Sequence, residues 1–596
     1  MDTIIGIDLG TTNSEVAVIR DGRPVVLPDD DGDPILPSVV GLDAQGRLLV
    51  GKAALNQFAL APERTVRSIK RKMGQETTVQ LGDKAYSPQE ISAIILRTLK
   101  QRAETVLGHP VKKAVITVPA FFTEGQREAT RQAGDLAGLE VVRIINEPTA
   151  AVLIYDPHPP EMERLLVYDL GGGTFDISIA QVEAGVVEIL ASHGDTRLGG
   201  DDFDQRLLDH VCDRFQIKHG LDLRDSIAAK SRLLRAVEEA KKSLSFDAIA
   251  TIAEEFIAEK NGIPINLDME ISRDDYEDLI EPLLAKTLAC LDKAMSDASL
   301  QAHQIHKVVL VGGATRTPMV HRLLTERLGR PVHAEIEPDL AVAMGAAVQA
   351  GLIAGIDVGP VLVDITPHTL GIEALGDIDG YMSLHCFSPI IERNTPLPAS
   401  RTEIYSTAVH HQKAAQIRVF QGEDDDTRYN TLVGEFTIEG LADLPVGNQI
   451  LVRLALDLNG ILNVTATERA TGLARHVVID NAMERFRQSR RTDALDRIDE
   501  AFGTAEKPIE IEEDDVSAVA GPSDEPLSPT LKRAIESADA LVSKAERIMA
   551  KANPEDAAEL KAMLVDLRAA VDRRSEEDVV RVAGEVEDLV FYLEDL

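Results

Sequence analysis

The segment Ile7-Asp8-Leu9-Gly10-Thr11-Thr12-Asn13 has a near-copy at Val167-Tyr168-Asp169-Leu170-Gly171-Gly172-Gly173-Thr174-Phe175-Asp176. Each copy follows a short apolar run, Ile4 to Ile7 and Leu165 to Tyr168, and puts a carboxylate just before a turn of small residues. A strand-like pattern resumes at Val16-Ala17-Val18-Ile19 and at Ile177-Ser178-Ile179-Ala180. Two strand–turn–strand units of one design predict a duplicated domain with a ligand held between its halves. Glycine and hydroxyl residues at such turns let backbone N–H groups come close to phosphate oxygens. Asp8 and Asp169 cannot bind phosphate directly, but they suit a hydrated magnesium ion beside it.

A chain of 596 residues is too long for one core, so several domains are expected. The net charge of −37 argues against nucleic-acid or anionic-membrane partners, because both repel a polyanion. Cys212, Cys290 and Cys386 are odd in number and far apart, which fits a reducing compartment better than a disulfide framework. Met1-Asp2-Thr3 runs into the first apolar stretch without a basic, cleavable leader, and no apolar run is long enough to span a bilayer. A cytoplasmic location is expected.

Up to about Ala354, strand-like runs alternate with helical patterns, as in an α/β domain. Helices are expected over 125–138, from Pro318, and through Pro338-Asp339-Leu340 to Gly351. From Thr366 to Asp480, short β-type runs with turn signals predict a compact antiparallel domain. The expected division is an α/β domain over 1–356, a connector over 357–364 and a β domain over 365–480. A helix over 481–502, an acidic linker over 503–529 and a helical bundle over 530–596 complete it.

A third glycine turn, Gly312-Gly313-Ala314-Thr315-Arg316, follows the Val308–Val311 run and adds weight to the duplicated pair. Lys70, within Arg67-Ser68-Ile69-Lys70-Arg71-Lys72, either reaches phosphate or lies on a solvated helix face. Glu147, at the exit of Ile144-Ile145-Asn146, either orients water or caps the helix that Pro148 starts. Gly46 to Lys52 has the glycine and lysine spacing of a P-loop, but Ala53 offers no hydroxyl and the interior is an apolar strand. Asp29-Asp30-Asp31-Gly32-Asp33 lacks the closing glutamate of a calcium loop and reads as a hairpin turn. His410-His411 has no third ligand in view and reads as a surface pair.

Taken in order, these blocks closely resemble the DnaK-type 70-kilodalton heat-shock chaperones. Val118-Pro119-Ala120-Phe121-Phe122, Asn146-Glu147-Pro148-Thr149-Ala150-Ala151 and Leu198-Gly199-Gly200-Asp201-Asp202-Phe203-Asp204 carry the resemblance with the three turns. It runs from about Ile4 to Asp480, and Phe387 to Thr395 looks like the HscC branch. The resemblance implies an actin-like duplicated ATPase domain, an antiparallel β-sandwich that binds peptides, and a C-terminal helical lid. It implies an ATP-dependent chaperone in which hydrolysis gates the grip on extended apolar segments of unfolded proteins. ATP or ADP and magnesium are the implied cofactors, with potassium a further candidate.

By motif position, Gly10, Thr11, Thr12, Asn13, Gly171, Gly172, Gly173 and Thr174 would embrace the phosphates. Asp8 and Asp169 would hold hydrated magnesium, and Lys70 and Glu147, with Thr174 nearby, would position the attacking water. Glu238, Lys241 and Ser245 would meet the adenosine, with Gly312, Gly313, Arg316 and Asp339 opposite. Pro119 and Arg127 would relay the nucleotide state to the linker Val361-Leu362-Val363-Asp364. Ile372, Leu375, Tyr405, Ala408, Ala415 and Ile417 fall where the family lines its peptide groove. A J-domain partner acting near Arg143 is implied, while the short Gly74 to Lys84 stretch leaves the exchange factor open. Gly359-Pro360 stands where the family has an acidic-aliphatic linker start, so the strength of interdomain coupling is open as well. Two other readings stay open: a regulatory chaperone with one dedicated client, and an actin-like small-molecule kinase.

Overall fold

Apolar runs in the first 363 residues build two large sheets of matching topology, beside smaller ones. The computed structural model describes residues 3–155, 159–330, 332, 337–356, 358–458, 461–479, 488–503 and Leu564. The chain divides into two compact units, Met1–Glu506 and Lys507–Leu596. Asp357 of the expected linker, residues 480–487, the acidic stretch after Gly503 and, Leu564 apart, the expected helical bundle lie outside the described residues.

In the first half, Ile4–Leu9 lies between the parallel Lys113–Val118 strand and the antiparallel Asn13–Arg20 strand. Glu140–Asn146 and Arg23–Val26 continue the sheet on either side. In the second half, Glu163–Leu170 lies between the parallel Lys307–Val311 strand and the antiparallel Phe175–Glu183 strand. Val186–Asp195 extends that sheet. The two Asp-Leu-Gly turns thus occupy the same place in each half, at the tip of the central hairpin. Their strands read as continuous apolar runs because helices cover both faces.

Each half lends a helix to the other. The Glu147–Val152 helix leaves the first sheet and packs on the second, while the Ala341–Ile353 helix leaves the second and packs on Ile4–Leu9 and Asn13–Arg20. The two helices also pack on each other. Glycine permits this closeness: a Cβ on Gly6 would stand 2.2 Å from the Ala347 nitrogen, and one on Gly345 would stand 1.8 Å from the Ala150 carbonyl oxygen. The second helix starts at Ala341, later than the expected Pro338, because the buried Pro338 gives its carbonyl to the third turn, accepting a 3.0 Å hydrogen bond from the Gly312 nitrogen.

The β region forms two four-stranded antiparallel sheets. One orders Tyr381–Ile391, Leu370–Ile378, Ala414–Gln421 and Thr431–Glu439; the other orders Ala399–Ser406, Gln449–Leu456, Leu462–Glu468 and Ala474–Ile479. Alternate residues such as Ile372, Val419, Val452, Leu454 and Val464 fill the space between them. Val361–Val363 adds a parallel edge strand to the second α/β sheet, pairing Val361 with Val186 and Leu362 with Val187. Pro360, which has no N–H to donate, precedes this strand, and the Val361 nitrogen donates to the Gly185 oxygen at 2.9 Å.

The helix expected from about Ala482 is described from Gln488 to Ala501 and packs on the Pro88–Leu107 helix. Ala494 and Ile498 join the first-half core, flanked by ion pairs Arg97–Asp499, Arg497–Glu90 and Lys84–Glu500 at 2.5–2.6 Å. Among the described residues, no helix is long and apolar enough to cross a membrane.

Candidate phosphate-binding active site

The two hairpin tips touch. A Cβ on Gly172 would stand 2.3 Å from the Thr12 hydroxyl, and one on Gly173 would stand 2.6 Å from the Thr11 methyl. The third turn presses on the second: Gly312 has φ 81°, and a Cβ there would lie 2.4 Å from the Leu170 oxygen. Between the turns is a pocket lined by Asp8, Gly10, Thr11, Thr12, Asn13, Glu15, Lys70, Glu147, Asp169, Gly171, Gly172, Thr174, Gly312, Gly313 and Asp339. Residues scattered over most of the first 340 positions therefore converge on one small space.

Lys70 is buried in this pocket and ion-paired with Glu147, so it does not lie on a solvated face. Of its basic neighbours Lys72 is exposed, whereas Arg67 and Arg71 turn to acids of the second half. Arg67 reaches Glu238 at 3.0 Å, Ser68 donates to Asp201 at 2.7 Å, and Arg71 pairs with Asp202. These contacts tie the first half to the second across the cleft. The sequence signal for them is the acidic pair in Gly199-Gly200-Asp201-Asp202.

Burial pushes the Asp8 carboxyl up to about 7, helped by Glu147 and opposed by Lys70 and by a 2.7 Å hydrogen bond from Thr117. Burial also pushes Asp169 well above the carboxylate range, with Glu147, Asp176 and Asp8 adding to it. Asp176, burdened by burial and by Glu147, rises to about 8 while accepting a 3.1 Å hydrogen bond from the Phe121 nitrogen. One buried lysine faces several buried acids, so the pocket has excess negative charge that a cation relieves. Among the described residues, no three His, Cys, Asp or Glu side chains converge closely enough to ligate an ion directly. Asp8 and Asp169, oxygen donors beside the phosphate turns, suit a hydrated magnesium ion, which sheds its water shell reluctantly.

A wider cleft opens beyond the turns, lined by Glu238, Lys241, Ser245, Gly313, Arg316 and Asp339 among others. Lys241 pairs with Asp204 at 2.8 Å, and Arg316 pairs with Asp339 at 2.8 Å. Burial works against the Glu238 charge, but Arg67, Lys242 and Lys241 hold its carboxyl down at about 2.

The chain matches the Hsp70 protein family over residues 4–592. It belongs to the Hsp70 family. Chaperone protein DnaK of Thermotoga petrophila and of Thermotoga maritima are each 45% identical to it over 484 residues, which cover 80% of either chain. The DnaK of Thermotoga neapolitana is 46% identical over the same length. This Hsp70 is accordingly a molecular chaperone of that type and an ATPase, which removes the small-molecule kinase reading.

In this Hsp70 a run of hydrogen bonds leads from beside the pocket to Asp364, the residue after the Val361–Val363 strand. Arg127 donates to the Ala120 carbonyl at 2.9 Å and to the Asn146 side chain at 2.6 Å. Asn146 donates in turn to Asp364 at 3.1 Å, and Thr149 donates to the same carboxylate at 3.3 Å. Pro119 is buried beside them and accepts from the Phe122 nitrogen at 3.1 Å. Phe121 stacks on His193, and its carbonyl oxygen lies 3.2 Å from His368 Nε2 at the start of the β region. Within the linker strand, Leu362 packs against the α/β core, whereas Val361 is 65% exposed.

The six groove residues fall into two sets. Ile372 and Ile417 are buried between the sheets, with Tyr405 and Ala415 packed against them. Leu375 and Ala408 are exposed. Arg143 has burial lowering its guanidinium pKa and faces Asp457 and Asp364. His410 and His411 are exposed, and His411 lies 2.5 Å from Asp443. Lys52 of the rejected P-loop spacing pairs with Asp33 at 2.7 Å.

Proposed function

We propose that ATP binds between the two halves, with its phosphates on the Gly10–Asn13 and Gly171–Thr174 turns. Its adenosine lies between Glu238, Lys241 and Ser245 on one wall and Gly313 and Arg316 on the other. A bound magnesium ion supplies charge screening to the phosphates, and Asp8 and Asp169 hold its water shell. Lys70 and Glu147 orient the attacking water near the γ-phosphate, with the Thr174 hydroxyl beside them.

One observation carries the regulatory part. Glu147 and Asn146 are adjacent, and the first pairs with Lys70 in the pocket while the second hydrogen-bonds Asp364 of the linker. A shift of one residue at the γ-phosphate is felt by its neighbour at the linker. The docked Val361–Val363 strand and the γ-phosphate site are thus two ends of one switch that nucleotide biases. The β-sandwich holds extended apolar segments of unfolded clients around Leu375, Tyr405 and Ala408, in a cytoplasmic setting, with a J-domain partner near Arg143.

The test loads the full chain with a fluorescent extended apolar peptide and adds ATP with magnesium. Release accelerates by at least about tenfold, the size of a 1.4 kcal/mol shift in population. Asp169→Asn removes the acceleration. Peptide release that ignores ATP, in protein shown to bind it, would overturn the reading.

A further inference from the structure

Glu15 lies directly opposite Asp8 across the first hairpin. It follows the phosphate turn, is only 1% exposed, and lines the same pocket as Asp8, Asp169 and Glu147. Its Oε1 atom is buried without a hydrogen-bond partner. The charges facing it are Asp8 and Asp339 on one side of the balance and Arg102 and Lys70 on the other. Neither cation bonds to it: Arg102 donates to the carbonyls of Asp33 and Pro34, and Lys70 pairs with Glu147.

Two acids directly opposite one another on antiparallel strands repel. A buried carboxylate oxygen without a partner costs stability as well. An apolar or amide residue would fit this strand position better, so the carboxylate is best explained by something that enters the pocket carrying positive charge. The phosphates of a nucleotide would make matters worse alone and better with a divalent cation.

We propose that Glu15 is a further acid of the metal–nucleotide site, acting beside Asp8 to make nucleotide binding strongly conditional on a divalent cation. This rests on the reading of Asp8 and Asp169 as the carboxylates that hold hydrated magnesium. Glu15 is a positioning residue in this role: it stabilises the hydrated ion and disfavours metal-free nucleotide. The consequence is that the preference of this pocket for magnesium complexes over free ADP and ATP depends in part on Glu15.

The test measures equilibrium binding of ADP to the full chain with magnesium and with a chelator. The ratio of the two affinities is the coupling between cation and nucleotide. Glu15→Gln lowers that ratio by about tenfold, the size of one charge acting at close range in a partly screened site. The change has two parts, tighter binding of ADP without magnesium and weaker or equal binding with it. A merely structural role would move both affinities together. If Glu15→Gln does not fold, Glu15→Met gives the same readout, since the carboxylate has no partner to lose. An unchanged ratio in either folded variant overturns the proposal. Asp8→Asn separates the two readings: if it too leaves the ratio unchanged, the assignment of Asp8 to magnesium fails; if it lowers the ratio while Glu15→Gln does not, only the role of Glu15 falls.

Discussion

Lys70 carries its charge into a pocket where it has one ion-pair partner, Glu147, and several unpaired acids in range. Removing one member of a buried pair leaves the other uncompensated, at a cost of about 3–5 kcal/mol. Lys70→Ala should therefore lower the melting temperature of the nucleotide-free protein. It should also slow single-turnover hydrolysis by about 10²–10³-fold, the usual loss when a preorganised charge is removed from a reacting centre. Hydrolysis at the wild-type rate in a folded Lys70→Ala variant would take Lys70 out of the chemistry. The positions of Asp8, Asp169 and the turn glycines were legible because each sits in a contiguous motif with its own local cause. The fate of Lys70 was not, because its partner is Glu147, a residue distant in sequence, and both a solvated and a buried lysine suit the same local string.

At the scale of elements, the small-residue helix Ala341–Ile353 decides how closely the two halves approach. Helix propensity alone would make Gly345→Ala stabilising by about 1 kcal/mol. Packing reverses the sign, since the new Cβ would stand 1.8 Å from a backbone oxygen that cannot rotate away. Forced overpacking costs about 1–3 kcal/mol or more, so the net effect should be a clear fall in the denaturation midpoint. An unchanged or higher midpoint would mean that the Glu147–Val152 helix yields easily. The turns at Gly10, Gly171 and Gly312 could be read from sequence as turns. Gly6 and Gly345 could not be read as contact sites, since what crowds them comes from distant segments of the chain. The linker shows the same limit. Its apolar run reads as a strand, but which side chain faces the core depends on register against Val186–Asp195, and the register packs Leu362 rather than Val361 against the core.

Over the whole molecule, the α/β and β regions meet at Phe121, which lies between His193 and His368. Burial holds both imidazoles down at about 4, with Lys293 and Arg393 adding to the effect at His193, and with Arg127 and His193 adding to it at His368, against a bond to the Phe121 carbonyl. A separated arrangement would let each return toward its ordinary value near 6.5. The separated form then binds more protons below pH 6.5, so the docking contribution is full above that pH and is lost as pH falls toward 4. A distance-reporting fluorophore pair across the two regions should show loosening between pH 7.5 and 5.5, and His368→Leu should flatten that response. The fold class of duplicated α/β halves and a β-sandwich was legible because long ordered motifs carried it. The histidine contacts were not, since neither residue belongs to any motif and the two meet only through tertiary folding. The proposed communication between the phosphate pocket and the β-sandwich runs through Asn146, Asp364 and the Val361–Val363 strand. Its most direct measurement is the steady-state ATPase rate with and without an extended apolar peptide, in the wild type, Leu362→Asp and Val361→Asp. Peptide stimulation in the wild type, its loss in Leu362→Asp and a milder loss in Val361→Asp are predicted; full stimulation in a folded Leu362→Asp chain would contradict the account.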